Sequence, residues 1–113
     1  SDFNRGQVGF KQLISSGVTA IFCYNDIIAI GLLRACQEKG IRVPERLSII
    51  GFDDINASQY VSPPLTTVSQ SRLQLGKTAM EMTLALLNNE DVRDHILPCQ
   101  LVVRHSTTLY KPE

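Results

Sequence analysis

Two short apolar runs in this 113-residue chain end in polar doublets, and chemistry could sit at those doublets. TAIFCYND (19–26) closes on Asn25 and Asp26, and LSIIGFDD (47–54) closes on Asp53 and Asp54. A carboxylate accepts hydrogen bonds from paired hydroxyls or a ring N–H, whereas a carboxamide both donates and accepts. An Asn and an Asp converging on a cleft therefore suit a neutral polyhydroxylated or heteroaromatic ligand, with an aromatic ring against its apolar side. Phe3 is the candidate for that ring. Structural roles compete at each position: Asn25 or Asp26 can simply cap the helix that follows, and Phe3 can simply pack.

Other chemistries fit less well. Paired carboxylates at a strand end could hold Mg²⁺ for phosphoryl transfer with Asp26 as a third acidic group, but no suitable Lys follows a later strand. His95 and His105 lie near the end of the chain, far from both doublets, and neither GxSxG nor GxGxxG is present. Cys23 sits inside an apolar run, where a thiol is normally inert. No catalytic set is visible, and neither a metal nor a cofactor is expected.

Composition narrows the setting. Cys23, Cys36 and Cys99 are odd in number and widely spaced, with no CxxC pair, so reduced thiols and a cytoplasmic location are expected. Eleven basic residues balance eleven acidic ones without any basic run, which makes this stretch alone a poor binder of nucleic acid. No apolar run approaches the ~20 residues that span a bilayer, and SDFNRGQ has no signal-peptide character. No membrane partner is expected.

The elements that would position the doublets follow from periodicity. Residues 7–16 predict a helix stopped at Gly17, 20–24 a strand, 27–39 a helix closed by Gly40, and 48–52 a second strand. Strand, helix, strand at this spacing is a βαβ unit with parallel strands. In such sheets ligands bind beyond the carboxyl ends of the strands, where both doublets lie. Both strands read as buried on both faces. The helix 27–39 is apolar on nearly every side until Arg34, so it needs a partner besides the sheet. Further on, the prolines of SPPLTTVSQ (62–70) break any helix and LTTV can be a strand. Residues 71–90 predict a helix capped by Ser71 or Ser69, with an apolar face from Leu73, Leu75, Ala79, Met82, Leu86 and Leu87. ILPCQLVVRHSTTL (96–109) is extended. So few strands cannot cover a parallel sheet on both faces, which predicts more strands from an upstream part of the protein or from a partner chain.

In order and spacing, four segments strongly resemble the C-terminal part of the effector-binding core of LacI/GalR-type bacterial transcriptional regulators. They are AIFCYNDIIAIGLLRACQEKGIRVPERLSIIGFDD (20–54), PPLTTVSQ (63–70), SRLQLGKTAMEMTLALL (71–87) and LVVRHST (101–107). The resemblance implies an α/β fold, a partial periplasmic-binding-protein-like type I fold in which a parallel βαβ unit is joined by interlobe crossing segments. Residues 1–63 would be part of the C-terminal lobe, 64–70 a crossing, 71–98 a helix and strand start packing on the N-terminal lobe, and 99–113 the return crossing and tail.

By the same resemblance, Asn25, Asp53, Phe3 and Gln70 would contact a small-molecule effector, a sugar or a nucleobase or nucleoside. Asp26 and Asp54 would be caps or structural anchors. Ile28, Leu32, Leu33, Ala57 and Tyr60 would face the second copy in a homodimer. Operator DNA would be met only through a helix-turn-helix upstream of this stretch. A transport-related periplasmic sugar-binding protein of the same fold is the alternative; an α/β enzyme is less favoured.

Overall fold

A computed structural model describes residues 2–112, with side chains described from Gly9 onward. Two units are described separately, residues 1–69 with 101–113 and residues 70–100.

In the first unit, helix α1 (Asp2–Ser15) begins ahead of the predicted span. The apolar periodicity starts only near Val8, because Phe3 is the single apolar side chain among residues 2–5 and sets no repeat. The helix stops as expected at Gly17, whose φ of 76° favours a residue without Cβ. Strand β1 (Ala20–Phe22) follows, then helix α2 (Asp26–Glu38), then strand β2 (Ser48–Ile50). The strands are parallel, with Ala20 opposite Ser48, Ile21 opposite Ile49 and Phe22 opposite Ile50. The predicted βαβ unit is present.

A third segment runs parallel beside β2. Ile50 bridges Thr66, and the Gly51 and Asp53 N–H groups donate to the carbonyls of Thr66 and Val68 at 2.9 Å. Strand β3 (Thr67–Ser69) continues this segment and pairs with β4 (Gln100–Val102). The carboxyl end of β2 is thus flanked on both sides by neighbouring backbone.

Helix α2 forms where Ala29, Leu32, Leu33 and Cys36 recur at helical spacing, and all four are buried. They share a core with Phe10, Leu47, Ile49 and Leu65. Each fully buried Leu or Ile in such a core contributes about 1.5–3 kcal/mol. The second partner that this apolar helix required is helix α1, which packs along it within the chain. Leu32 and Leu33, expected to face a second copy, are only 2% and 6% exposed in the chain by itself.

The expectation of strands buried on both faces holds for Ser48 and Ile49 of β2 but not for β1, where Phe22 is 64% exposed. On the face that Phe22 shares with Ala20, Ser48 and Ile50, the two β1 residues are exposed, whereas Ser48 is buried and Ile50 half-buried.

The second unit carries helix α3 (Arg72–Leu87). Ser71 is its cap, accepting the Gln74 N–H at 3.3 Å. Asn89, at φ 56°, ends it, and the Glu90 N–H turns back to the Ala85 carbonyl at 2.9 Å. No residue of α3 is buried, although Leu73, Leu75, Met80, Leu84, Leu86 and Leu87 are all large and apolar.

Candidate functional site

Between β1 and α2 the chain passes through Asn25 and Asp26, and the two residues do different work. Asn25 has extended backbone, and its Oδ1 accepts the Ile28 N–H at 2.9 Å. Asn25 is therefore the cap of α2, satisfying a first-turn donor that has no intrahelical acceptor. Asp26 is completely buried. Its carboxylate accepts from Ser58 Oγ and Thr67 Oγ1, each at 2.5 Å, and from the Ile55 N–H at 2.9 Å. A buried carboxylate persists only where its lone pairs are met in this way. Because those donors come from the loop after β2, a short 3-10 helix (Asn56–Gln59) and β3, Asp26 ties three segments to the end of β1. Gly51 leaves the room for it, since a Cβ there would run into the Asp26 carboxylate and come within 3.0 Å of Leu65.

The second doublet is held by backbone shape and remote contacts. Asp53 and Asp54 both have positive φ, 107° and 51°. Asp is among the few residues that tolerate such values, and the 107° of Asp53 lies outside the usual left-handed well, which costs on the order of 1–3 kcal/mol. The surroundings hold the bend. The Asp53 N–H donates to Val68 O at 2.9 Å, and the Asp54 N–H to Thr67 Oγ1 at 3.4 Å. Arg104 completes the grip, with Nη2 on Asp54 Oδ1 at 2.7 Å and Nη1 on the Leu65 carbonyl at 2.9 Å.

Register places the doublets together. Phe22 and Ile50 are partners across β1 and β2, and Asn25 and Asp53 each lie three residues further on. The loops are also stitched directly, since the Asp26 N–H donates to the Phe52 carbonyl at 2.9 Å. Asn25 and Asp53 are both half-buried. One carboxamide and one carboxylate thus stand at the same end of neighbouring strands, beside the N-terminus of α2, where the helix dipole favours acceptor atoms.

Of the other expected contacts, the Phe3 side chain lies outside the described residues. Gln70 is half-buried and heads the second unit. Among the residues assigned to a dimer surface, Ala57 and Tyr60 are exposed, Tyr60 by 75%; Ile28 is half-buried. A groove of about 310 Å³ runs elsewhere, over Ile30, Leu33, Arg34, Val61 and Ser62. Neither doublet lines it, so it is not the crevice that the strand ends define.

The thiols are set apart from this chemistry. Burial, then the Asp26 charge, then Cys36 push the Cys23 thiol from 9.0 up to about 11, and burial raises Cys36 as well. Cys99 is exposed. Among the described residues no group of three or more His, Cys, Asp or Glu could hold a metal ion. No helix among them is long and apolar enough to cross a membrane.

Arg104, Ser58, Thr67 and Gly51 escaped the reading of the sequence. Gly51 had a signal, a glycine directly before the aromatic and the doublet, which marks close approach of another group. Arg104 had a weaker one, a lone cation closing the apolar stretch LVV, with nothing to name its partner 50 residues away.

Comparison with known proteins agrees with the fold. Residues 4–107 match the family model of the periplasmic binding protein-like domain. The chain belongs to that family. Within the periplasmic binding protein-like domains its likeness is to LacI/GalR-type regulators. It is 43% identical over 109 residues to the ribose operon repressor of Haemophilus influenzae, covering 93% of this chain and 33% of that protein. A LacI family transcriptional regulator from Enterococcus faecalis, solved with bound ribose, superimposes with a TM-score of 0.86 at 40% identity, covering 94% of this chain and 40% of that one. The lac repressor dimer bound to operator gives a TM-score of 0.83 at 34% identity, covering 96% and 37%. The chain spans about a third of the length of the curated relative it matches.

Proposed function

We propose that this chain is part of the effector-sensing core of a transcriptional repressor and that a small neutral ligand, a sugar or a nucleobase or nucleoside, binds at the ends of β1 and β2. The observation that carries the reading is the equal offset of Asn25 and Asp53 beyond paired strand residues, which brings a carboxamide-bearing and a carboxylate-bearing residue to the same end of neighbouring strands. Ribose is the first candidate, because one relative is a ribose operon repressor and one similar structure holds ribose. Asp53 accepts from ligand hydroxyls, Asn25 adds the donor and acceptor of a carboxamide, and Phe3 and Gln70 complete the contacts.

The domain assignment follows from the same reading. Residues 1–63 form part of the C-terminal lobe, 64–70 and 99–104 are crossings, and the exposed apolar residues of α3 pack on an N-terminal lobe. Occupancy shifts the population between open and closed lobes, and a helix-turn-helix outside this chain reports that shift to operator DNA. The likeness to an operator-bound repressor dimer supports the DNA partner and a homodimer. Ala57 and Tyr60, with the groove over Ile30 and Val61, are the surface left for a second copy. Unpaired thiols fit a cytoplasmic protein.

The test is a thermal unfolding series on the intact protein with D-ribose, a purine nucleoside and a free purine base. One of these raises the midpoint in a concentration-dependent manner. A midpoint unmoved by all of them at millimolar concentration contradicts the reading.

A further inference from the structure

A carboxylate contributes to binding only if its backbone aims it, and the backbone at Asp53 is held where an aspartate would not rest by itself. We propose that Arg104 is a positioning residue for the ligand site, holding the Asp53–Asp54 bend and through it the direction of the Asp53 side chain. The inference rests on the reading of Asp53 as a ligand contact and adds a residue to it.

The first support is the bend itself, with consecutive positive φ values of 107° and 51° on two residues that carry Cβ atoms. Such a pair stays bent only when its neighbours over-determine it. Arg104 does so from two sides, since its planar fork reaches Asp54 Oδ1 with one nitrogen and the Leu65 carbonyl with the other. The bend is thereby bolted to the segment that receives the Asp53 N–H at Val68.

Arg104 is itself fixed. Its N–H donates to Thr66 Oγ1 at 3.0 Å, and that hydroxyl lies 2.9 Å from Thr107 Oγ1. Ser106 Oγ donates to the Ile49 carbonyl at 2.6 Å and accepts the Thr66 N–H at 2.8 Å, which anchors the whole stretch on β2. The guanidinium therefore projects from a rigid frame. A lysine in its place offers a compact point charge that cannot span both acceptors in a fixed fork. Asp26 fixes the far end of the same loop at Ile55, leaving the bend between two clamps.

The experiment uses the intact protein and the variants Arg104→Met, Arg104→Met with Asp54→Asn, and Arg104→Lys. The paired variant removes the carboxylate that Arg104→Met alone leaves without its cation. Hydrogen exchange is followed at the amides of Asp53, Asp54 and Ile55, and D-ribose is titrated by calorimetry. The expected result is that exchange rises and ribose affinity falls, each by about tenfold or more, in the paired variant. Asp54→Asn recovers unfolding stability lost in Arg104→Met without recovering affinity, and Arg104→Lys, which folds with its charge intact, falls between. Unchanged exchange in the paired variant and in Arg104→Lys overturns the proposal whatever ribose does, and so does affinity that returns together with stability. A wild-type protein that ignores ribose counts against the ribose reading alone, and the exchange measurement still decides the role of Arg104.

Discussion

Asn25–Asp26 and Asp53–Asp54 stand at matching positions past neighbouring strands, yet the first doublet opens a helix and buries one of its members, whereas the second forms a bend of positive φ. Asn25 caps the helix that begins beside it, and the following Asp26 disappears into the interior. Asp53 and Asp54 have no helix to enter. Their shape is imposed by Thr67, Val68 and Arg104, which are remote in sequence. The difference teaches that one strand end is a wall fixed by a helix start and a buried carboxylate, whereas the other is a bent loop whose shape rests on Thr67, Val68 and Arg104.

Removing the wall's anchor should have the largest effect. Asp26→Ala strands the Ser58 and Thr67 hydroxyls and the Ile55 N–H in the interior, with an expected loss of about 3–5 kcal/mol in denaturant unfolding. Gly51→Ala comes next, because its methyl drives against the Asp26 carboxylate; about 1–3 kcal/mol is expected by the same measurement.

Asn25 separates capping from binding. Asn25→Ala should lose about 1 kcal/mol of stability, whereas Asn25→Ser keeps a cap oxygen and most of that stability. Both should weaken ribose binding by about 1.5–3 kcal/mol if the carboxamide meets the ligand. Equal affinity for Asn25→Ser and wild type would reduce Asn25 to a cap.

The smallest effect concerns Cys23. Its thiol is raised in the folded state from 9.0 to about 11, so the thiol form is favoured by folding. That contribution is intact below pH 9 and is lost as pH climbs from about 9 through 11. Cys23→Ala should flatten the alkaline decline of the unfolding midpoint over that window. At neutral pH a thiol reagent should label exposed Cys99 well before Cys23.

Much of this comparison was legible in the sequence, for physical reasons. Continuous apolar runs ending in polar doublets announced the parallel strands and where they stop, and Gly17 and Ser71 marked helix boundaries through backbone chemistry. Which member of Asn25–Asp26 would be the cap was not legible, because both side chains can cap. The choice is made by Ser58 and Thr67, whose hydroxyls reach Asp26 only in the folded chain. That α1 packs along α2 was not legible either, because periodicity shows that a helix face is apolar and not what covers it. Arg104 went unseen because an ion pair across 50 residues leaves no local trace.

The central claim is that the ends of β1 and β2 form the ligand site, with Asp53 as its acceptor. Asp53→Asn tests it most directly, since it keeps the size of the side chain and removes only the charge. Calorimetric titration of the intact protein with D-ribose should show affinity reduced by about 1.5–3 kcal/mol in Asp53→Asn, with an unfolding midpoint close to that of wild type. Wild-type binding with equal affinity in Asp53→Asn would contradict the account.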